Sequence, residues 1–577
     1  MARIRKIEVN NFKGIKSLIW QPSNGINCLI GHGDSGKSTL LDAVDLCIGA
    51  RRSVTFCDTD FYQLNVEQSI SITVTIGNLS DSLKNIDIYG AYLRGFCKEK
   101  GHVEDEPGNG LETVLSINLS VGSDLEPVWS LLSERAQSQG LSRNLTWNDR
   151  VLLSPTRIGN ISDFNLSWRK GSILNKISEE TANASLALTI AARGARDSFG
   201  DSAQEQLAIT LAVVKSTAEE LGIPTGGNVR ALLDAHSISF NGGTISLHDA
   251  DGIPLKNLGI GSTRLLIAGL QRKAAESSSV ILIDELEYGL EPHRIIRLLG
   301  SLGAKESKEP LQVFMTTHSP TALKELSGDQ LYILQSNPEK HECVNLGTED
   351  EIQGTIRRHP DAFLASAILV CEGASEVGFI RGVDQYRSTN TNTPSIHALG
   401  ICLIDAGGVN QIYNRATPLL QVGYTTAVLR DDDKKPDVAI EQEFTSKGGK
   451  LFFWQNGRSI EDEICLSVCN STVVKIVEYA KTIHSTELIN QHLRSVSKNQ
   501  YSLENIESAL HSGDDEQNIA IRDYIAQASK TKDNSWFKNV SAMEHLAREI
   551  IAPNLSDSKL EFRQKIHEIF AWAENNA

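Results

Sequence analysis

Hydrophobic and polar residues alternate in the first part of the chain in a way that predicts strands and one helix. Ile7 and Val9 alternate with polar neighbours, and the apolar run at 26–30 leads into a glycine-rich loop. Within 37–48 the apolar residues recur at helical spacing and form one face, so we expect a helix there. The chain is therefore expected to open with three strands followed by a helix.

Two segments with strict alternation follow, at 69–76 and 114–121. Such alternation is typical of strands with one exposed face, and the pair suits an antiparallel sheet beside a parallel one. The composition then changes, because 165–225 is rich in Ala, Ser, Leu and Glu, and 203–221 has helical spacing. We expect a helical insertion at 165–225, and we expect it to mediate dimerisation.

Continuous apolar runs, which are typical of buried parallel strands, occur at 280–284 and 312–317. Strand–helix alternation restarts at Ile368, and the chain is mostly helical and polar after about 470. We therefore predict an α/β protein. Its expected parts are an N-terminal domain at 1–345 that contains the insertion, a linker at 346–362, an α/β core at 363–470 and a helical C-terminal region at 471–577.

Composition limits the partners and the cellular compartment that we expect for the protein. The net charge of −16 argues against a protein that coats nucleic acid non-specifically. No apolar run reaches the roughly 18 residues needed to span a bilayer, so we expect no membrane partner. The N-terminus has basic residues with no apolar segment behind them, which favours a strand over a signal peptide. Nine scattered cysteines fit a reducing compartment, and we expect a cytoplasmic protein.

A complete phosphate-binding loop occupies 31–38, with the sequence Gly-His-Gly-Asp-Ser-Gly-Lys-Ser. It lies between a predicted strand and a predicted helix, which is the context that this motif requires. Backbone N–H groups of such a loop surround the phosphates, Lys37 neutralises the outer ones and Ser38 ligates magnesium. We therefore predict ATP and Mg²⁺ as ligands. The expected ATP-binding residues of the loop are Gly31, Gly33, Asp34, Ser35, Gly36, Lys37, Ser38 and Thr39.

Two acids end the apolar run that follows the insertion, and they complement the phosphate-binding loop. We expect Asp284 to reach the magnesium ion through a water molecule, and Glu285 to polarise the water that attacks ATP. His318 follows the next apolar strand and is a candidate sensor of the γ-phosphate. Glu285 is thus a predicted catalytic residue, Asp284 a predicted metal ligand, and His318 part of the predicted nucleotide site.

This set of motifs resembles the ABC-type ATPase head of the RecF/SMC group. Residues 258–262, Leu-Gly-Ile-Gly-Ser, resemble its signature motif, although they depart from the usual Leu-Ser-Gly-Gly-Gln. The resemblance implies that Gly261 and Ser262 reach the γ-phosphate bound by a second subunit, and hence that the chain forms a homodimer. Gln63 and Gln68 are both candidates for the glutamine of the Q-loop, and the sequence does not choose between them.

A second group of acids follows predicted strands in the C-terminal half. Glu372 follows an apolar strand, and Glu376 comes one helical turn later. Asp431 and Asp433 end another strand and point the same way, whereas Asp432 points away. Clustered carboxylates repel one another unless cations bind, so we predict two Mg²⁺ or Mn²⁺ ions that hydrolyse a phosphodiester. The predicted metal ligands, also predicted to be catalytic, are Glu372, Glu376, Asp431, Asp433 and Glu461.

The order of these acids, with the turn Asp405-Ala406-Gly407-Gly408 between them, resembles a Toprim domain. An ABC head followed by Toprim is the layout of the OLD (overcoming lysogenization defect) family of nucleases, which includes the Gabija nuclease and retron-linked effectors. The resemblance implies a metal-dependent DNA endonuclease that acts in defence against phage. Residues 536–538, Trp-Phe-Lys, resemble a late basic element of this family, so Lys538 is a candidate for neutralising transition-state charge.

The resemblance leaves the partners and the control of cleavage open. It implies DNA as substrate, a homodimer or homotetramer, and either a helicase or a reverse transcriptase with its msDNA as partner. ATP either activates or restrains cleavage. Two other functions compete with this one. The first is a RecF/SMC-like DNA-repair ATPase whose Toprim domain is only structural, and the second is an ATP-bound scaffold that triggers a separate effector without cutting DNA.

Overall fold

A computed structural model of the protein describes residues 2–51, 53–159, 163–166, 172–177, 181–220, 229, 231, 247–274, 280–337, 339–455, 457–512, 515–532 and 534–576. The chain forms two compact units. The first comprises residues 1–29, 34–326 and 334–343, and the second comprises residues 30–33, 327–333 and 344–577. Strands and helices alternate in both units, and the predicted α/β class is confirmed.

The strands are β1 (Arg3–Phe12), β2 (Ile15–Trp20), β3 (Ile26–Ile30), β4 (Ile70–Gly77), β5 (Arg94–Phe96), β6 (Val103–Glu104), β7 (Glu112–Val121), β8 (Pro127–Leu132), β9 (Thr156–Ile158), β10 (Val280–Ile283), β11 (Gln312–Thr316), β12 (Leu331–Ser336), β13 (His341–Asn345), β14 (Ala367–Cys371), β15 (Ile401–Asp405), β16 (Thr425–Arg430) and β17 (Lys450–Phe453).

The helices are α1 (Lys37–Ile48), α2 (Ile86–Tyr89), α3 (Glu134–Ser138), α4 (Trp147–Leu153), α5 (Ile173–Ile177), α6 (Thr181–Gln206), α7 (Ala208–Glu220), α8 (Ile260–Lys273), α9 (Pro292–Ser301), α10 (Pro320–Glu325), α11 (Asp350–Arg358), α12 (Ala374–Asn390), α13 (Val409–Gln421), α14 (Val438–Ser446), α15 (Ile460–Ser467), α16 (Asn470–Ile483), α17 (Thr486–Val496), α18 (Leu503–Ser512), α19 (Asp515–Ser529), α20 (Val540–His545) and α21 (Leu560–Asn575).

An antiparallel group of strands in the first unit contains both alternating segments. β1 pairs with β2 and β4, and β4 pairs with β7, as the alternation predicts. The expectation that β4 has an exposed face is wrong, because nearly all of its residues are buried. The polar residues of that face find partners on β7. Asn118 donates to Thr73 over 2.9 Å, and the hydroxyls of Thr75 and Ser116 lie 2.9 Å apart.

A parallel group in the first unit carries the nucleotide motifs. β11 lies between β3 and β10, and β10 also pairs with β9. The apolar residues of these strands are almost completely buried, which explains their continuous hydrophobic runs. Helix α1 begins at Lys37, directly after the glycine-rich loop, and buries the apolar face that its spacing predicts. Parallel pairing brings the residues after β10 and β11 to the same edge of the sheet.

The second unit is built on a four-stranded parallel sheet with the order β15-β14-β16-β17. Helices from the C-terminal part of the chain pack their apolar residues into the same core as β14 and β16. Phe379, Trp454 and Phe562 form an aromatic group within that core, with ring centroids about 6 Å apart. Residues beyond 470 are mostly helical, as predicted.

Two further predictions concern the linker and the helical insertion. Residues 346–362, predicted as a linker, contain α11 because Ile352, Thr355 and Ile356 give that segment a buried helical face. The predicted insertion at 165–225 lies partly outside the described residues, and its described part contains α6 and α7. No helix in the described part of the chain combines the length and apolar character needed to cross a bilayer.

Candidate functional site

Two glycines of the phosphate-binding loop have positive φ angles. Gly36 has a φ of 90° and Gly31 a φ of 127°, in the region that favours glycine. Lys37 is buried, and its Nζ donates to Ser35 Oγ over 3.1 Å. Burial lowers the pKa of Lys37, and the charges of Asp34 and Asp284 oppose that shift. The ammonium group thus already lies among acids that favour its charged form.

The structure brings together the two residues that we expect to share magnesium. Ser38 Oγ donates to Asp284 Oδ1 over 2.9 Å, although 246 positions separate them in the chain. Arg157, which the sequence analysis missed, lies with a guanidinium nitrogen 3.9 Å from Asp284 Oδ2 and 2.7 Å from Asp42. A single arginine on a three-residue strand carries no motif, so no sequence signal was available to find it.

The predicted nucleotide-site residues that follow β10 and β11, and those of the signature segment, lie in the first unit. Glu285 follows β10 and has a φ of 48°, in the left-handed region. His318 has an exposed side chain, and its backbone N–H donates to Glu287 over 2.7 Å. Ser262 accepts a hydrogen bond from Arg294 over 3.3 Å. Contact of the signature residues with a γ-phosphate stays a prediction.

Gly261 at the start of α8 is required by a close backbone approach. A Cβ atom there would lie 2.3 Å from the carbonyl oxygen of Gly289. We therefore expect Gly261→Ala to lower the free energy of unfolding of the first unit by about 1–3 kcal/mol. Gly259→Ala is the matched control, since a Cβ there meets nothing within 4 Å. Urea unfolding followed by circular dichroism measures both, and equal destabilisation by the two variants would contradict the steric explanation.

One cavity in the second unit, about 710 Å³ in volume, gathers the predicted metal-site acids. It lies where β14, β15 and β16 end, at the edge of a parallel sheet that typically binds ligands in α/β proteins. Residues far apart in sequence meet here because the parallel strands all end at this edge. The acids that line the cavity are Glu372, Glu376, Asp405, Asp431, Asp433 and Glu461, and the basic residues are Lys434, Lys530, Lys532 and Lys538.

Backbone N–H groups donate to four of these carboxylates, including Asp405, which accepts from the Gly407 N–H over 2.9 Å. The Asp431 N–H donates to Glu372 Oε2 over 3.0 Å, and the Ile460 N–H donates to Asp431 Oδ1 over 2.9 Å. The Gly373 N–H, in the turn before α12, donates to Glu376 Oε2 over 2.7 Å. Glu372 and Asp431 are therefore oriented by the backbone of a neighbouring segment, and Glu376 by the turn before its own helix.

Burial and mutual repulsion raise the pKa values of these acids. Burial, followed by the charges of Glu376 and Glu461, raises the pKa of Asp431 to about 10. Burial and then the charge of Glu461 raise the pKa of Glu376 to about 8. Burial also raises the pKa of Glu372. A group of acids with raised pKa values favours either bound protons or bound cations.

The donor set of this cavity fits Mg²⁺ or Mn²⁺ by its chemistry, because carboxylate oxygens are the ligands that such hard cations prefer. Across the residues that the structure describes, however, no three Asp, Glu, His or Cys side chains stand together as ligands of one metal ion. Metal binding by these acids stays a prediction.

Asp432 is directed away from the cavity, as alternation at the strand end predicts. Its carboxylate accepts from the Gly457 N–H over 2.8 Å and lies 3.4 Å from the Arg430 guanidinium. Burial alone would raise the pKa of Asp432, but these two donors outweigh it and hold the pKa below its usual value. Arg430 also pairs with Glu441 over 2.8 Å. Asp432 therefore stabilises the strand end, and Asp431 and Asp433 are left to line the cavity.

The cavity lining includes charged residues that were not proposed as functional from the sequence, among them Asp405, Lys530 and Lys532. Asp405 ends β15, and its parallel register opposite Cys371 brings it beside Glu372. The position of Asp405 at the end of a strand could have indicated from the sequence that it lies at the same edge of the sheet. Lys530 and Lys532 come from the turn after α19, and Lys530 donates to Asp462 over 2.6 Å. Their sequence context is polar and helical, so nothing in it indicated the cavity.

Comparison with known families identifies part of the chain. Residues 3–109 match the family model described as "AAA ATPase domain", and residues 131–324 match "AAA domain, putative AbiEii toxin, Type IV TA system". These ranges contain the loop at 31–38, Asp284 and Glu285. The chain contains an AAA-type ATPase domain. An ATPase domain binds ATP, usually with Mg²⁺, so the predicted cofactors of this site agree with the match.

Relatives of the ATPase domain include proteins of the RecF kind. The DNA replication and repair proteins RecF of Chlorobium phaeovibrioides and Chlorobium luteolum are 24% and 26% identical over 112 residues, which is 18% of this chain and 30% of each relative. The match thus spans less than a third of the length of these relatives.

Similar solved structures include the Smc head domain of Pyrococcus furiosus bound to the C-terminal domain of ScpA, at 14% identity and a TM-score of 0.36. That match covers 62% of this chain and 100% of the other. RecF of the RecFOR pathway has 12% identity and a TM-score of 0.30, and covers 59% of this chain and 98% of the other. TM-scores this low carry no weight in assigning the fold or the function.

Proposed function

We propose that this protein is a DNA endonuclease whose activity is controlled by ATP. It uses Mg²⁺ or Mn²⁺ at the acidic cavity of its second unit. The observation that carries this proposal is the cavity at the edge of the parallel sheet. Acids from three strand ends and from the starts of α12 and α15 line it together with four lysines. Carboxylates bind divalent cations, and ammonium groups bind phosphate. The acids and the lysines of the cavity are therefore suited to a phosphodiester that is bound together with metal ions.

The predicted roles within the cavity follow from the chemistry of its residues. Divalent cations bound there would supply an activated water molecule and stabilise the leaving oxygen of the phosphodiester. The acids Glu372, Glu376 and Asp431 hold their positions through backbone hydrogen bonds before any ion binds. Lys538 lines the same cavity and can neutralise charge on the phosphate. The other residues that we propose as ligands are Asp433 and Glu461.

The proposal extends to the setting in which cleavage occurs. We propose defence against phage, with ATP at the first unit controlling when DNA is cut. One matching family model is described as a putative toxin of a toxin–antitoxin system, and a toxin requires restraint of its activity. The RecF relatives are named as DNA replication and repair proteins, which supports DNA as the substrate. A homodimer or homotetramer, with a helicase or a reverse transcriptase and its msDNA as partner, completes the proposal.

The purified protein tests the proposal directly. Incubation with supercoiled plasmid DNA and Mg²⁺ or Mn²⁺ is expected to produce nicked or linear DNA, and EDTA is expected to prevent it. Parallel reactions with and without ATP measure the direction of control. If no cleavage of plasmid, phage or single-stranded DNA occurs with either metal, at any ATP concentration, while ATP is still hydrolysed, the proposed nuclease is wrong.

A second candidate function is a RecF-like DNA-repair ATPase whose second unit does not cut DNA. The similarity to RecF proteins favours it, and so does the absence of a preformed three-ligand metal group among the described residues. This candidate predicts ATP hydrolysis that DNA stimulates, with no cleavage in the plasmid assay above. The two candidates therefore differ in one measurement on the same sample.

A further inference from the structure

The two acids after β10 depend on one hydroxyl group of the neighbouring strand. β10 and β11 are parallel, with Ile283 opposite Met315, so the next residues along the two strands also meet. Thr316 ends β11 and is 2% exposed. Its Oγ1 donates to Asp284 Oδ1 over 2.7 Å and accepts from the Glu285 N–H over 2.8 Å. A hydroxyl has one donor hydrogen and two lone pairs, so it can make both bonds at once.

Both bonds act on groups with a predicted part in ATP hydrolysis. The oxygen of Asp284 that accepts from Thr316 also accepts from Ser38. Thr316 therefore constrains the carboxylate that faces the predicted magnesium ligand of the phosphate-binding loop. The Thr316 hydroxyl also binds the backbone N–H of Glu285. That residue has a φ of 48°, in a region that residues other than glycine rarely adopt.

The backbone of Thr316 adds a third contact to the same turn, because its carbonyl oxygen accepts from the Leu286 N–H over 2.9 Å. Thr316, at the end of β11, thus holds three consecutive residues, 284–286. Its hydrogen bonds offset the strain of the left-handed backbone conformation of Glu285. The direction of the Glu285 side chain depends on that backbone conformation.

We infer that Thr316 is a positioning residue for ATP hydrolysis, which fixes the Asp284 carboxylate toward Ser38 and holds Glu285 in the conformation that aims it at the attacking water. The inference rests on the ATPase domain and is independent of DNA cleavage in the second unit. Thr316 itself need not touch ATP, since it acts through Asp284 and Glu285.

Thr316→Val tests the inference, because valine keeps the β-branched shape and removes both hydroxyl hydrogen bonds. We expect kcat for ATP hydrolysis to fall at least about tenfold, since orientation of a general base is typically worth that much or more. The KM for ATP and the dissociation constant of ADP should stay within about twofold of wild type. The Mg²⁺ concentration for half-maximal hydrolysis should rise, which a merely structural role would not cause. Thr316→Ser, which keeps the hydroxyl, should restore most of kcat.

Thr75→Val is the matched control. Thr75 is also buried in a strand, and its hydroxyl bonds to Ser116, so this variant loses a buried hydroxyl far from Asp284. It should lose stability in thermal unfolding while keeping kcat near wild type. The inference is overturned if Thr316→Val hydrolyses ATP at the wild-type rate, or if Thr316→Ser is as slow as Thr316→Val. Should Thr316→Val fail to fold, Thr316→Cys replaces it, because a thiol is a much weaker hydrogen-bond donor and acceptor than a hydroxyl. A wild-type kcat and Mg²⁺ dependence in Thr316→Cys would then overturn the inference.

Discussion

Asp431→Asn is expected to reduce metal-dependent DNA cleavage on the order of a thousandfold while leaving ATP hydrolysis close to wild type. The asparagine keeps the size of the side chain and can still accept from the Ile460 N–H. It removes the negative charge that we propose binds the metal ion, and a charged ligand contributes several kcal/mol to such a reaction. Initial rates of plasmid nicking at saturating Mg²⁺ measure the change.

Asp437→Asn serves as the control for that variant, because Asp437 caps α14 from the same connection and asparagine caps a helix as well as aspartate does. Its cleavage rate should match wild type. Equal loss of cleavage in both variants would show that the connection, and not the charge at Asp431, is responsible. Unchanged cleavage in Asp431→Asn would remove Asp431 from the proposed site.

The stability of Asp431→Asn separates a lost ligand from a damaged fold. The folded-state pKa of Asp431 is raised to about 10. Its contribution to stability is therefore fully present below the pKa of the unfolded chain, and it is lost as pH rises from there toward the folded-state pKa. In EDTA at pH 8 the ionised Asp431 of the unfolded chain must therefore take up a proton to fold, which opposes folding, whereas asparagine takes up none. We expect the melting temperature of the variant in EDTA to be higher by a few degrees, on the order of 5 °C. A lower melting temperature would indicate damage to the fold.

Lys37→Ala is expected to abolish ATP binding and to lower ATP hydrolysis at least about a hundredfold. Lys37 is buried at the start of α1, where its charge faces the position of the outer phosphates in this motif. Without it, the negative charge of the phosphates meets Asp34 and Asp284 with no nearby ammonium group of the loop to offset them. Isothermal titration with ATP and a phosphate-release assay measure both effects.

Lys84→Ala, which changes an exposed lysine of the same unit, is the control and should bind ATP normally. Normal ATP hydrolysis by Lys37→Ala would contradict the assignment of the nucleotide site. The same variant also reports how the two activities are connected. Faster DNA cleavage by Lys37→Ala than by wild type would identify ATP as a restraint on cleavage, and slower cleavage would identify it as an activator.

The sequence by itself determined the elements that depend on local chemistry. The motif at 31–38 predicts a loop between a strand and a helix, and the loop lies between β3 and α1. Apolar spacing predicts α1, β4, β7 and β10, and each forms at nearly the expected residues. The spacing of apolar residues and the glycine content are properties of a few neighbouring residues, so they can be read from the sequence without knowledge of the fold.

Only the tertiary structure decided which residues meet. The order and register of parallel strands bring Asp405 beside Glu372 and Thr316 against Asp284, and no local pattern contains that information. The same holds for β4, where cross-strand bonds to β7 satisfy the polar face and allow it to be buried, against the expectation from its alternation. Lys530 and Lys532 reach the cavity because the C-terminal helices pack on the sheet of the second unit. Contacts of this kind depend on chain segments far apart in sequence, whose meeting is set by packing of the whole core.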